Sequence, residues 1–164
     1  MKPRIEEITA KKLIGMRIKT SLAENKTAHL WQKFMSRKDE INSQKNSGYF
    51  SVQIFPEDLS FKDFDDKVIF EKWAAVEVKD VDKIPEDMET HTLSAGKYAV
   101  FVHHGPVSAF GETLNYIFGI WLPNSDYLLD NREHFEIMGE KYFGPTHPDS
   151  EEEVWIPIKD KLPE

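Results

Sequence analysis

The chain reads as a mixed α+β fold in which one strand–helix–strand–strand unit is used twice. Three observations predict it. First, Leu13-Ile14-Gly15-Met16-Arg17-Ile18 and Lys97-Tyr98-Ala99-Val100-Phe101-Val102 are aliphatic runs about 84 residues apart. Second, Leu30 and Phe34 of one helical pattern recur at that offset as Leu114 and Phe118. Third, the triplet Glu71-Lys72-Trp73 has a counterpart in Glu153-Val154-Trp155, about 82 residues further on. The predicted half-repeats cover about 1–79 and 88–160 of a single domain, 1–164, joined by the charged connector 80–87 with its Pro85.

Each element follows in order. Ile5 to Lys19 is rich in β-branched and aliphatic residues and predicts a strand interrupted near Thr9-Ala10-Lys11. Ser21-Leu22-Ala23-Glu24 has the form of a capping box and predicts a helix start. Leu30, Trp31, Phe34, Met35 and Ile41 then recur at helical spacing until Asn46-Ser47-Gly48. Tyr49 to Phe55 alternates as a strand, with Phe50, Val52 and Ile54 on one face and Ser51 and Gln53 on the other. An acidic loop, Pro56 to Lys67, leads to a strand from about Val68 to Val78. In the second half, Thr90 to His103 is a strand with an irregularity at Gly96. Gly105-Pro106 opens a helix with an apolar stripe of Val107, Phe110, Leu114, Ile117, Phe118 and Trp121, stopped at Pro123-Asn124-Ser125. Strands at Tyr127 to Leu129 and Phe135 to Met138, a loop at Gly144 to Ser150, and a last strand, Glu153 to Lys159, complete the chain.

Composition narrows the function. Lys plus Arg total 21 against 29 Asp plus Glu, a net charge of −8, the wrong sign for direct contact with nucleic acid or an anionic membrane. The N-terminus lacks the apolar core of a signal peptide, and no run reaches the roughly 18 residues of a spanning helix. With no cysteine there is no disulfide, thiol catalysis or thiolate-held metal, which fits a reduced, cytoplasmic setting. His103 and His104 are adjacent and point to opposite faces of a strand, and no metal site or cofactor is expected. No G-x-S-x-G elbow or Gly-rich phosphate loop occurs.

The aromatic residues, four Trp and eleven Phe among them, point to a site. Val154, Ile156 and Ile158 share one face of the last strand and should pack under the helices, so Glu153 and Trp155 face the other way. Glu71 and Trp73 do the same in the first half. An indole beside a carboxylate suits a flat, lipophilic and cationic ligand. The candidate ligand-binding residues on this ground are Glu153, Trp155, Trp73 and Glu71, and Glu153→Gln is expected to weaken a cationic ligand by about 1–3 kcal/mol. Trp31 and Trp121 belong to helix faces and packing.

The second half resembles a known family. Gly96-Lys97-Tyr98-Ala99-Val100-Phe101-Val102-His103-His104-Gly105-Pro106 is similar to the G-x-Y-A-x-F-x-H-x-G-P signature of GyrI-like small-molecule-binding domains. Trp121-Leu122-Pro123-Asn124-Ser125 resembles its W-L-P-x-S, Phe135-Glu136-Ile137-Met138 its F-E-x-Y strand, and Glu153 to Ile158 its closing E-[IV]-[YW]-I-P-I strand. Met138 departs from that family's Tyr, and the resemblance adds Glu136 and Met138 to the candidate ligand-binding residues. The resemblance implies two units related by a pseudo-twofold axis, a curved antiparallel sheet with helices on one face, and a ligand cleft between the halves. It also implies effector binding, as in AraC-type and multidrug-responsive MerR-type regulators, with Glu153 as the functional carboxylate and Trp155 as its aromatic partner. The expected function is a stand-alone binding protein for lipophilic, cationic aromatic molecules. The alternatives are a hydrolase of cyclopropane-containing electrophiles with Glu153 as general base, and an inhibitory partner of DNA gyrase.

Overall fold

A computed structural model describes residues 1–59 and 64–162. Its strands are β1 (Arg4–Ile8), β2 (Lys11–Thr20), β3 (Tyr49–Ile54), β4 (Phe70–Glu77), β5 (Glu89–Leu93), β6 (Gly96–His104), β7 (Tyr127–Leu129), β8 (His134–Met138) and β9 (Glu151–Asp160). Helix α1 spans Thr27–Met35, and α2, Phe110–Tyr116, is entered through a 3-10 turn at Val107–Ala109 and prolonged by a π-helical turn at Ile117–Trp121. The fold is mixed α+β, with one large antiparallel sheet and two helices. The strands run in the order β1-β6-β9-β8-β3-β4-β2-β5, with β7 beside β9.

That order forces the sheet to curl. β1 and β2 stand six positions apart, about 29 Å in a flat sheet. Thr9 and Ala10 alone join them and span at most about 11 Å. Ser94 and Ala95 impose the same closeness on β5 and β6. The two ends of the sheet therefore meet, and residues from both, Leu13 and Leu93 with Tyr98 and Val100, share one core with Phe50, Val52, Trp73, Phe135 and Trp155. Where β2 bends against β4, a Cβ on Gly15 would lie 2.1 Å from the Ala74 carbonyl oxygen, so the backbones meet only because no side chain stands there.

A buried acid fastens the curled edge to the middle of the sheet. Glu133 accepts from the Ser94 backbone N–H at 3.2 Å and bonds His91 Nε2 at 2.7 Å. Burial pushes its carboxyl up, but the bonds from His91 and from backbone N–H groups outweigh this and hold it at about 2. The stabilisation is fully present above the ordinary value of 4.5 and is lost as pH falls toward 2. Urea unfolding between those pH values should show a loss of about 1.5–3 kcal/mol, absent in Glu133→Gln; an identical pH profile for the two proteins would remove the fastening role.

The helices pack on one face of the sheet. α1 covers Ile14, Met16, Ala74 and Val76 through Leu30 and Phe34. The α2 segment covers Ala99, Phe101, Val154, Ile156 and Ile158 through Ile117. Trp31 and Trp121 lie partly buried at the rims of these clusters, the packing role expected of them.

The capping-box expectation needs correction. Ser21 Oγ does accept the Glu24 N–H, at 3.1 Å, yet the segment is a turn and α1 starts only at Thr27. The Thr20 hydroxyl bonds the Glu24 carbonyl and the Lys26 N–H, closing a loop over groups that a helix would use. Thr27 N–H then donates to Asn25 Oδ1 at 3.0 Å. Ile41, expected on the same helix, lies beyond its end but is buried in the α1 cluster. Part of the predicted acidic loop, residues 60–63, lies outside the described residues.

Candidate functional site

Register sorts side chains between the two faces, because directly opposed residues of an antiparallel pair project to the same side. One row runs Arg17, Trp73, Val52, Phe135, Trp155, Val100, Arg4. The next runs Met16, Ala74, Ser51, Glu136, Val154, Phe101, and its two ends lie under the two helices. The middle of this second face, between α1 and α2, is polar.

Three charged side chains meet in that strip. Lys72, 6 % exposed, stands opposite Gln53 on β3. Its Nζ lies 3.9 Å from Glu136 Oε1, which also accepts a hydrogen bond from Gln53 Nε2 at 2.9 Å. Glu152 projects to the same side from β9, opposite His103. Burial pushes the Glu136 carboxyl up, against the pull of Lys72 and Gln53. Burial and the neighbouring Glu136 raise Glu152 to about 7, with Lys72 opposing. Burial lowers Lys72 itself, offset by the two carboxylates. Two partly buried acids, Glu136 and Glu152, thus face one buried lysine.

Aromatic rings gather around His134, which stands opposite Gln53 on the same face. Phe55 packs 5.2 Å from Phe70, 5.8 Å from Phe64 and 5.0 Å from His134, and Phe118, beyond α2, reaches His134 at 6.2 Å. Burial, helped by Arg132, lowers His134 to about 4, so near neutral pH it serves as an uncharged ring. Met138 lies on the same face opposite Tyr49, whose ring meets Trp31 of α1 at 6.2 Å. A cavity of about 400 Å³ opens at the ends of β6, β8 and β9, bounded mainly by Val102, Ile137, Glu151 and Glu153 of the opposite face, with Glu152 at its border.

The six residues singled out from the sequence fall on opposite faces. Glu136 and Met138 belong to the strip between the helices. Glu71, Trp73, Glu153 and Trp155 lie on the other side, where both indoles are buried in the curled core. There each carboxylate accepts its own tryptophan N–H: Trp73 Nε1 reaches Glu71 at 2.7 Å and Trp155 Nε1 reaches Glu153 at 3.1 Å. Arg17 pairs with Glu71 and Arg4 with Glu153, the latter at 2.8 Å. One Glu153 oxygen thus accepts from Trp155 and the other from Arg4.

Sequence reasoning missed Lys72, Gln53 and Glu152. The signal was present in the alternation: Phe70, Ala74, Val76 and Val78 make the helix side of β4, and Lys72 interrupts it. Glu152 likewise extends the apolar series Val154, Ile156, Ile158 by one step. A charge at a position of apolar parity is the mark of a buried polar site.

A curled antiparallel sheet carrying two helices on one face, with Lys72 and two glutamates in the strip between them, is the framework of this domain, and its class is that of small-molecule-binding domains. The chain belongs to the GyrI-like family: the model of the GyrI-like small molecule binding domain matches residues 1–159. It is 28% identical over 158 residues to the transcriptional regulator BrlR of Pseudomonas aeruginosa, a match covering 96% of this chain and 56% of BrlR. The chain thus spans little more than half the length of that curated relative. Among solved structures it is similar in fold to SAV2435 bound to tetraphenylphosphonium, with a TM-score of 0.75 at 18% identity, over 97% of this chain and 94% of that one. It is similar too to the C-terminal domain of EcmrR, with a TM-score of 0.75 at 14% identity, over 98% of both chains.

Proposed function

We propose that the chain is a single domain that binds lipophilic, cationic aromatic molecules in the strip between α1 and α2. Glu136 and Glu152 supply the negative charge, and Met138 and the rings around His134 supply the apolar contacts. The observation that carries this reading is the pair of partly buried carboxylates served by one lysine. An unanswered buried charge is costly, and a cation with apolar substituents removes that cost while covering the rings. The fold shared with a protein solved with tetraphenylphosphonium supports the choice of ligand class. The sheet order supports an internal duplication: exchanging β1 with β5, β6 with β2, β9 with β4 and β8 with β3 leaves it unchanged. That relation sets the strip at the junction of two equivalent units. The cysteine-free sequence is consistent with work in a reducing compartment such as the cytoplasm.

Calorimetric titration with tetraphenylphosphonium tests the reading. Saturable binding is expected, weakened about tenfold to a hundredfold by Glu136→Gln, the scale of a lost charged contact. Glu153→Gln, whose charge Arg4 already answers on the opposite face, should change the affinity less than about threefold. Undiminished affinity in Glu136→Gln would sink the assignment.

A further inference from the structure

The strip contains a cation of its own. We propose that Lys72 is a specificity-determining residue that restricts the site to ligands carrying one positive charge. The inference rests on the reading of the strip as the ligand site and adds a rule for which cations enter.

The argument is a charge count in a place where water cannot screen. Lys72 is buried, its ammonium is 3.9 Å from Glu136, and Gln53 occupies the same carboxylate oxygen from the side, so the lysine head is held among the acids. Two further titratable side chains near these groups add nothing to the count. His134 is held uncharged by burial. Tyr142, near Glu152, is pushed up by burial and by that carboxylate and stays neutral. Two carboxylates less one ammonium leave a single negative charge. A monocation closes the balance. A dication brings a surplus charge against Lys72 in a poorly screened site, where like charges a few ångströms apart repel strongly. Removing the lysine charge reverses the preference, since two carboxylates then match two positive charges.

A matched pair of probes reads this directly. N-methyl-4-phenylpyridinium carries one charge and methyl viologen two, on nearly the same two-ring skeleton. Calorimetry at about pH 8.5 works above the value of about 7 reached by Glu152, so that carboxyl is ionised. The wild-type protein is expected to prefer the monocation. Lys72→Met and Lys72→Gln should each shift the affinity ratio toward the dication by about tenfold or more. Lys72→Arg, which keeps the charge, should leave the ratio unmoved. A wild-type preference for the dication overturns the proposal without any variant, and so does an unmoved ratio in either folded neutral variant. Binding of both probes that ignores Glu136→Gln refutes the site itself, a result distinct from a Glu136-dependent site with an unmoved ratio.

Discussion

Trp155→Ala is expected to lower the free energy of unfolding by about 3–5 kcal/mol, the range for large-to-small changes at buried aromatics. The ring is 6 % exposed and stacks on Phe135 at 5.2 Å, with Tyr98 edge-on at 5.7 Å. Phe135 in turn stacks on Phe50, so the truncation opens a void in a row of rings joining β6, β9, β8 and β3. The change also strips Glu153 of its indole donor, leaving Arg4 to hold that carboxylate alone. Urea unfolding should report a lower midpoint with an unchanged slope. Trp31→Ala, at the rim of the α1 cluster, should cost clearly less. A loss under about 1 kcal/mol for Trp155→Ala would mark the ring as a surface group and contradict its place in the core.

Glu136→Ala should cost about 3 kcal/mol or more, because it leaves Lys72 and Gln53 facing the space their acceptor filled. The informative comparison is the double variant Glu136→Leu with Lys72→Met. Exchanging both members of a buried ion pair for apolar side chains of similar volume is often neutral, so most of the loss should return. Glu152 then keeps a neutral form available, since its carboxyl already sits near 7. If the double variant is as unstable as Glu136→Ala, the pair is not the source of the cost. Glu136→Gln keeps the shape and a hydrogen bond to Gln53, which makes it the variant suited to ligand titration.

Much of this architecture was legible in the residues. The alternation of Phe50, Val52 and Ile54 against Ser51 and Gln53 assigned both faces of β3 correctly. The parity of Val154, Ile156 and Ile158 put the second helix on its proper side of β9. What period-two reading lacks is the pairing between strands. Glu136 joins Glu153 as a candidate through the resemblance of Phe135-Glu136-Ile137-Met138 to the family's F-E-x-Y strand, which carries no information on pairing. The register that opposes Glu153 with Ile137, and Glu136 with Val154, sends them to opposite faces. The true start of α1 was hidden for a similar reason, since the Thr20 hydroxyl that closes the preceding loop gives no local sign of its role. The buried lysine was overlooked because a charge among apolar neighbours reads as an interruption until its partners, on other strands, are known.

The pairing of β1 with β6, Arg4 opposite Val100, carries a consequence for how the protein is made. Strand β1 is synthesised well before its partner β6, with β2 to β5 made between them. Until β6 has been synthesised, β1 is an unpaired segment carrying Arg4, the residue that holds Glu153. Pairings of such long sequence separation slow folding and lengthen the time for which a sheet edge stays open to other chains. Losing the first eight residues would remove no predicted ligand contact, yet it would bare the edge of β6 and leave Glu153 without its arginine. Such a truncation should show itself first as aggregation during expression rather than as a defect in binding.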